Sequence, residues 1–205
     1  SIQGFEPCDP GSNPGGAIRY KMLHEEQKYV FEIARELGVE LSLVHHKRPT
    51  ISCEEKLELL KEENLEEFSD WTIDRIVKSL YFHSNSNPYV GIITPEFGRT
   101  VKARDILSKT LKISRGKAEK YWVDPNHVPN GMSWGTCTPF PLTSSFGKEI
   151  SDLIFLDYHP IKNKLVNISV GGTDKKSFVT SMHLPYGAIY EILRKQFGER
   201  VHIFN

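Results

Sequence analysis

The chain has no run of eighteen apolar residues, so nothing in it is built to cross a bilayer as a helix. Cysteine is scarce: Cys8, Cys53 and Cys137 are too few and too scattered for a disulfide framework or a zinc site, which fits a reducing compartment. No charged-then-apolar leader opens the chain, and a cytoplasmic location is expected from that. Net charge is missing too, with 26 basic against 26 acidic side chains. Neither a dinucleotide-binding glycine fingerprint nor a P-loop is present, which argues against a cofactor-dependent enzyme.

The balanced total hides an asymmetry. From Glu54 to Asp70 eight acids face only Lys56 and Lys61; from Arg99 to Lys120 eight basic residues face only Asp105 and Glu119. A solvated helix face explains such runs, and so does a surface that meets phosphates; charge alone leaves both open. With 205 residues and 39% hydrophobic content, a single domain with a proper core is expected. Residues 1–20, rich in Pro, Gly and Ser, read as a poorly ordered arm before a domain over 21–205.

Apolar positions at helical spacing predict a helix over 21–37, stopped by Gly38. Leu41–Val44 reads as a strand and His45–Pro49 as a polar turn. Ser52 with Glu55 forms a capping box for an amphipathic helix continuing to Phe68, and a short helix from Thr72 feeds a strand over Val77–Phe82. Tyr89–Ile93 is expected to pair with that strand across a turn at 84–88. Basic helices at 102–110 and 114–121, strands at 153–157, 165–169 and 177–180, and a helix from Tyr186 to Phe197 complete the reading. The predicted fold class is α+β, a single mixed sheet or partly closed barrel with helices around it.

Gly131 to Phe140 holds two glycines and a proline within ten residues and reads as a shaped loop whose bare backbone can face a ligand. Lys78, inside an apolar strand, either lies on the outer face or projects into a cleft to meet an anion, since an unpaired buried ammonium is costly. His45 and His46 are adjacent on a strand, point to opposite faces and are not expected to chelate one metal ion. Cys137 tempts a nucleophile reading, but nothing in the sequence puts a histidine beside it, and Cys137→Ser is expected to keep normal activity. The Asn167-Ile168-Ser169 glycosylation sequon is read as chance in a core strand.

Five segments in order resemble the YbaK/EbsC-like aminoacyl-tRNA editing domains, the type associated with prolyl-tRNA synthetase. They are Gly38–Leu41 through Thr50–Glu55, Ile76–Phe82 with its lysine, Val101–Leu107, Gly131–Phe140, and Val166–Gly172. The resemblance runs from about residue 21 to 198. It implies hydrolysis of the ester of mischarged aminoacyl-tRNA, most directly Ala- or Cys-tRNA-Pro, with no metal and no cofactor. The partner implied is tRNA at its aminoacylated 3′ end, and an aminoacyl-tRNA synthetase is a second.

By the same resemblance Lys78 holds the tRNA end, and the loop backbone at Gly135, Thr136 and Pro139 holds the ester carbonyl. The substrate's ribose hydroxyl helps to activate water, so no general base is nominated. Thr50, Ser79, Thr138, Ser169, Gly171 and Lys175 are implied as substrate-binding positions, and either histidine of the opening loop could border the pocket. Many relatives carry a histidine where this chain has Asp174-Lys175-Lys176, Lys175 standing nearest its place. A catalytically silent tRNA-end-binding or interaction module is the alternative, favoured by that change and by the long acidic helix.

Overall fold

The computed structural model describes residues 24–85, 87–97 and 102–205, with only the backbone of residue 87. The expected N-terminal arm, Leu23 of the first helix, Ser86 of the hairpin turn and Arg99 of the basic run lie outside the described residues.

A 3-10 turn at Glu25–Gln27 leads into α1 (Lys28–Glu36), which buries Tyr29, Val30, Ile33 and Ala34 and ends before Gly38 at φ +66°. That left-handed conformation costs a glycine little, and it ends the helix where the sequence predicted. β1 (Ser42–His45) follows, then α2 (Cys53–Glu63). Ser52 caps α2, its hydroxyl accepting from the Glu55 amide at 3.1 Å. Glu55 does not reach back to Ser52 as a full capping box would; its carboxylate accepts from the Ile51 amide at 2.8 Å. The acidic helix is also not continuous to Phe68. Asn64 leaves helical geometry (φ −152°, ψ 83°), and its side chain caps a separate turn, α3 (Leu65–Phe68).

β2 (Val77–Ser84) and β3 (Asn87–Pro95) form the expected antiparallel hairpin, with Lys78 opposite Thr94. The basic segment folds as α4 (Ala103–Thr110) and α5 (Arg115–Ala118), where Arg104 pairs with Glu119 and Arg115 with Asp105. β4 (Ile150–Leu156) lies parallel to β3, and Leu153, Ile154 and Phe155 are buried in succession, so both faces are covered there and 153–156 reads as an apolar run. β5 (Leu165–Ser169), β6 (Thr180–Pro185), α6 (Tyr186–Phe197) and β7 (Val201–Phe204) complete the chain.

The α+β class holds, with the strands divided between two sheets and no closed barrel. One is antiparallel, in the order β1-β6-β5; the other is mixed, in the order β2-β3-β4-β7. An isolated bridge between Ile76 and Asn167 links them. The main core lies against α1 and α6, and a second cluster packs Ile92 and Ile154 against Ile106 and Leu107 of α4. A small third cluster, Leu60, Phe68, Trp71 and Ile76, sits at α2 and α3.

The chain departs from the sequence reading in two further places. Ser177–Val179 is a 3-10 turn, tied down by the Ser177 amide and hydroxyl donating to Asp174 at 2.9 and 3.2 Å, and the strand starts only at Thr180. β7, four residues long at the sheet edge, went unread.

The N-terminus of α2 depends on its cap, so Ser52→Ala is expected to cost about 1 kcal/mol and to lower the melting midpoint by roughly 2–4 °C. Calorimetry on the two proteins checks this, and an unchanged midpoint would mean that the cap contributes nothing to stability.

Candidate active site

Strict alternation along β5 and β6 separates two environments. Val166, Ile168, Met182 and Leu184 enter the main core. Asn167, Ser169, Ser181 and His183 take the opposite face, Asn167 standing across from His183 and Ser169 across from Ser181. The polar face borders a cavity of about 190 Å³, walled by Thr50–Cys53 and Lys56, by Ile76–Leu80, by Trp134, Gly135 and Cys137, and by Asn167 and Ser169. It therefore lies at the seam between the two sheets, where β2 is an edge strand.

Of the residues expected at the site, Lys78, Gly135, Thr50, Ser79 and Ser169 line this one cavity. Lys78 is half-buried in the cavity wall and forms an ion pair with the buried Glu96. Gly135 has φ +96°, and its carbonyl accepts from the Ser169 hydroxyl at 3.4 Å. Its amide has no acceptor among the described residues.

The other five nominated positions are not among the lining residues. Thr136 is fully buried and braces the loop: its hydroxyl donates to the Gly172 carbonyl at 2.6 Å and accepts from the Ser133 amide at 2.9 Å. Thr138 accepts from the Phe140 amide at 3.2 Å, while its carbonyl takes the Tyr81 hydroxyl at 2.8 Å. Pro139 is buried in the same brace. Gly171 is buried at φ +80°, and beside it a Cβ on Gly172 would meet the Ser177 hydroxyl at 2.1 Å, so this turn needs glycine for want of space. Lys175 is exposed.

Cys137 lines the cavity, but its thiol donates to the Ser133 carbonyl at 3.5 Å and burial pushes its pKa up to about 11. Cys53, also in the wall, is pushed up to about 12 by burial and by the neighbouring Glu96 carboxylate. Both stay protonated at neutral pH, so neither is a ready nucleophile.

Three cavity residues were missed from the sequence. Lys56 was hidden in the acidic run. Here it has no ion-pair partner among the described residues, and burial lowers its pKa to about 8 against the opposing pull of Glu63 and Glu55. Trp134 is 49% exposed in the cavity wall. Asn167, set aside as a chance sequon, is buried in a polar network instead. Its Nδ2 lies 2.6 Å from the Ser181 hydroxyl and 2.9 Å from His183 Nε2. The Ser181 hydroxyl lies 2.7 Å from His46 Nε2, and His46 Nδ1 lies 2.8 Å from Glu63 Oε2.

The two adjacent histidines do diverge. His45 is exposed and meets the Thr180 hydroxyl at 3.0 Å, while His46 is buried in the network. Serine, histidine and glutamate in sequence resemble a nucleophile and its relay. Ser181, however, is 2% exposed and is not among the lining residues, so it is unavailable to attack a ligand.

No family model and no curated protein matches the chain. Among solved structures it is similar to hypothetical protein APE2540, with 18% identity and TM-score 0.53, over 85% of this chain and 97% of that one. It is similar also to a candidate trans-editing enzyme for prolyl tRNA synthetase, with 13% identity and TM-score 0.53, over 88% of this chain and 97% of that one. At these identities the likeness shows a shared fold, and the resemblance noted in the sequence extends to it.

His183 sits against Phe68 and Trp71, and burial pulls its pKa down to about 4, with His46 and Lys56 adding repulsion. The unfolded chain therefore binds a proton at this position that the folded chain refuses, and stability falls as pH drops from about 6.5 towards 4. The loss approaches roughly 3 kcal/mol at the lower limit. Denaturant unfolding at pH 7 and pH 4.5 measures it. His183→Gln, with no titrating group, is expected to flatten this dependence; an equal slope in both proteins would assign the loss to other groups.

Proposed function

We propose that this chain is a hydrolase for the ester bond of mischarged aminoacyl-tRNA, with Ala- or Cys-charged tRNA-Pro as its substrates. The observation that carries the reading is the common cavity: Lys78 and Gly135 border the same small hollow, and the Gly135 amide has no acceptor among the described residues. A cation and a backbone donor are what an already activated ester needs, one to hold the polyanionic end and one to stabilise the developing oxyanion. Water adds to the ester carbonyl carbon, the acyl C–O bond breaks, and the terminal ribose hydroxyl leaves as the free amino acid is released. No side-chain nucleophile is required, in keeping with the protonated thiols of Cys53 and Cys137.

A hollow this small accepts a small aminoacyl group. That suits removal of errors that a synthetic pocket for proline cannot reject, since one methylene discriminates by only about 1–3 kcal/mol. The solved neighbour described as a candidate trans-editing enzyme supports the same substrate class. Five exposed lysines of the basic segment, Lys102, Lys109, Lys112, Lys117 and Lys120, have no ion-pair partner among the described residues and suit a phosphate backbone.

One observation favours a second reading, a tRNA-end-binding module without turnover. The charge of Lys78 is already matched by Glu96, which reduces what the lysine can offer a substrate.

Deacylation of Ala- and Cys-tRNA-Pro separates the two. Turnover is expected, and binding without turnover would favour the module. Lys78→Ala is expected to lower kcat/KM at least tenfold, the loss of a charge-assisted hydrogen bond of about 1.5–3 kcal/mol; full retention would remove the role. Gly135→Ala is expected to reduce kcat in a folded protein, because a side chain at φ +96° strains the backbone that presents the amide. Unchanged turnover in that variant would count against backbone recognition.

A further inference from the structure

Hydrogen-bond polarity through the buried network can be traced from one end. The amide of Lys47 and the His46 ring hold the Glu63 carboxyl below its usual range against the effect of burial, so it is an ionised acceptor. His46 Nδ1 therefore donates to it. Burial keeps His46 neutral, which makes Nε2 an acceptor, and the Ser181 hydroxyl must donate to it. Having spent its only hydrogen, that oxygen accepts from Asn167 Nδ2. The second Nδ2 hydrogen goes to His183 Nε2, on an imidazole that burial also keeps neutral.

Both amide hydrogens of Asn167 are thereby committed, and the orientation of the amide is dictated rather than free to flip. Of the polar groups on the Asn167 side chain, the carbonyl oxygen is left over. It has no partner among the described residues, and it is not among the buried polar atoms that lack one, so it is open to the cavity that Asn167 lines.

We propose that Asn167 Oδ1 is the cavity's acceptor for a hydroxyl of the ligand, and that Ser181, His46 and Glu63 are positioning residues that aim it. The assignment rests on the editing reading and sharpens it. A neutral donor is called for, because Lys56 and Lys78 already line the same cavity and a third cation would be repelled. Two hydroxyls have the right chemistry: one on the terminal ribose and one on a hydroxylated aminoacyl side chain. The sources are separable.

The test compares wild type, Asn167→Ala and Ser181→Ala on Ala-charged and Ser-charged tRNA, each with a normal and a singly deoxygenated terminal ribose. Wild type is expected to lose about tenfold or more in kcat/KM on the substrate lacking the contacted hydroxyl. Asn167→Ala should lose the same factor on the hydroxylated substrate and no further on the one lacking it. If the ribose is the source, this non-additivity follows the deoxygenation; if the side chain is, the Ser-to-Ala ratio collapses in the variant. Ser181→Ala keeps Asn167 but frees its amide, and should show a smaller version of the same pattern.

A folded Asn167→Ala that loses an equal factor on all four substrates would overturn the contact, and an unaffected Ser181→Ala would overturn the aiming chain. If wild type turns over none of the esters, the editing reading fails by itself. The acceptor is then read from the Asn167 side-chain amide resonances during titration with adenosine, its 2′- and 3′-deoxy forms, serinamide and alaninamide. Shifts that depend on one hydroxyl support it, and shifts indifferent to every hydroxyl refute it.

Discussion

A hydroxyl, imidazole or carboxamide taken out of water must find its complement or cost the fold free energy. In this protein that requirement governs a whole face of the β1-β6-β5 sheet. Asn167, Ser181, His183 and His46 are all buried, and each hydrogen bond between them forms only because the next one along has the opposite hydrogen-bonding capacity to spare. From Asn167 through Ser181 and His46 every donation runs toward Glu63, because the carboxylate can only accept, and the second hydrogen of the Asn167 amide goes the other way, to His183. Reverse any member and two groups lose partners at once. The cavity inherits its polarity from this constraint, and its position from the bridge that brings Asn167 alongside Ile76 at the start of β2.

The cavity's electrostatics are equally divided between matched and unmatched charge. Lys78 is compensated by Glu96 from the end of β3, whereas Lys56 approaches from α2 with no carboxylate in salt-bridge range among the described residues. Desolvation already depresses the Lys56 pKa, so the protein holds a positive charge near the limit of what its surroundings tolerate. An anionic ligand would relieve that penalty. Apart from Lys61 the other charges of the helix bearing Lys56 are acidic, and its one carboxylate in the network, Glu63, faces His46.

Much of the fold was legible because local chemistry and tertiary structure agree. Gly38 ends a helix in sequence and in space, and the apolar run at 153–156 and the alternating stretch at 165–169 are strands because both faces or one face are buried. What was not legible depended on a local side-chain capture in one place and on long-range pairing in another. Phe178 and Val179 look like strand residues, but Ser177 is captured by Asp174 first. The division into two sheets follows from which edges meet, and no local pattern encodes that. At the site, the lysine and the glycine loop announced themselves by being out of place in their surroundings. Asn167 did not, although the alternation of Val166-Asn167-Ile168-Ser169 against Ser181-Met182-His183-Leu184 was there to be read as a half-polar hairpin. Lys56 carried no signal at all, since a lysine in an amphipathic helix is ordinary.

Ile51 is 99% exposed and Trp134 49% exposed, both in the wall of the same hollow. Uncovered apolar surface there leaves water at the entrance poorly satisfied, at about 25 cal/mol for each Å² that a visitor could shield. A flat, weakly polar moiety laid across the rim would recover that free energy regardless of its hydrogen-bonding edges. On the proposed reading, attraction by this apolar surface and discrimination by Asn167 fall to different residues, so grip and selectivity can be tuned one without the other.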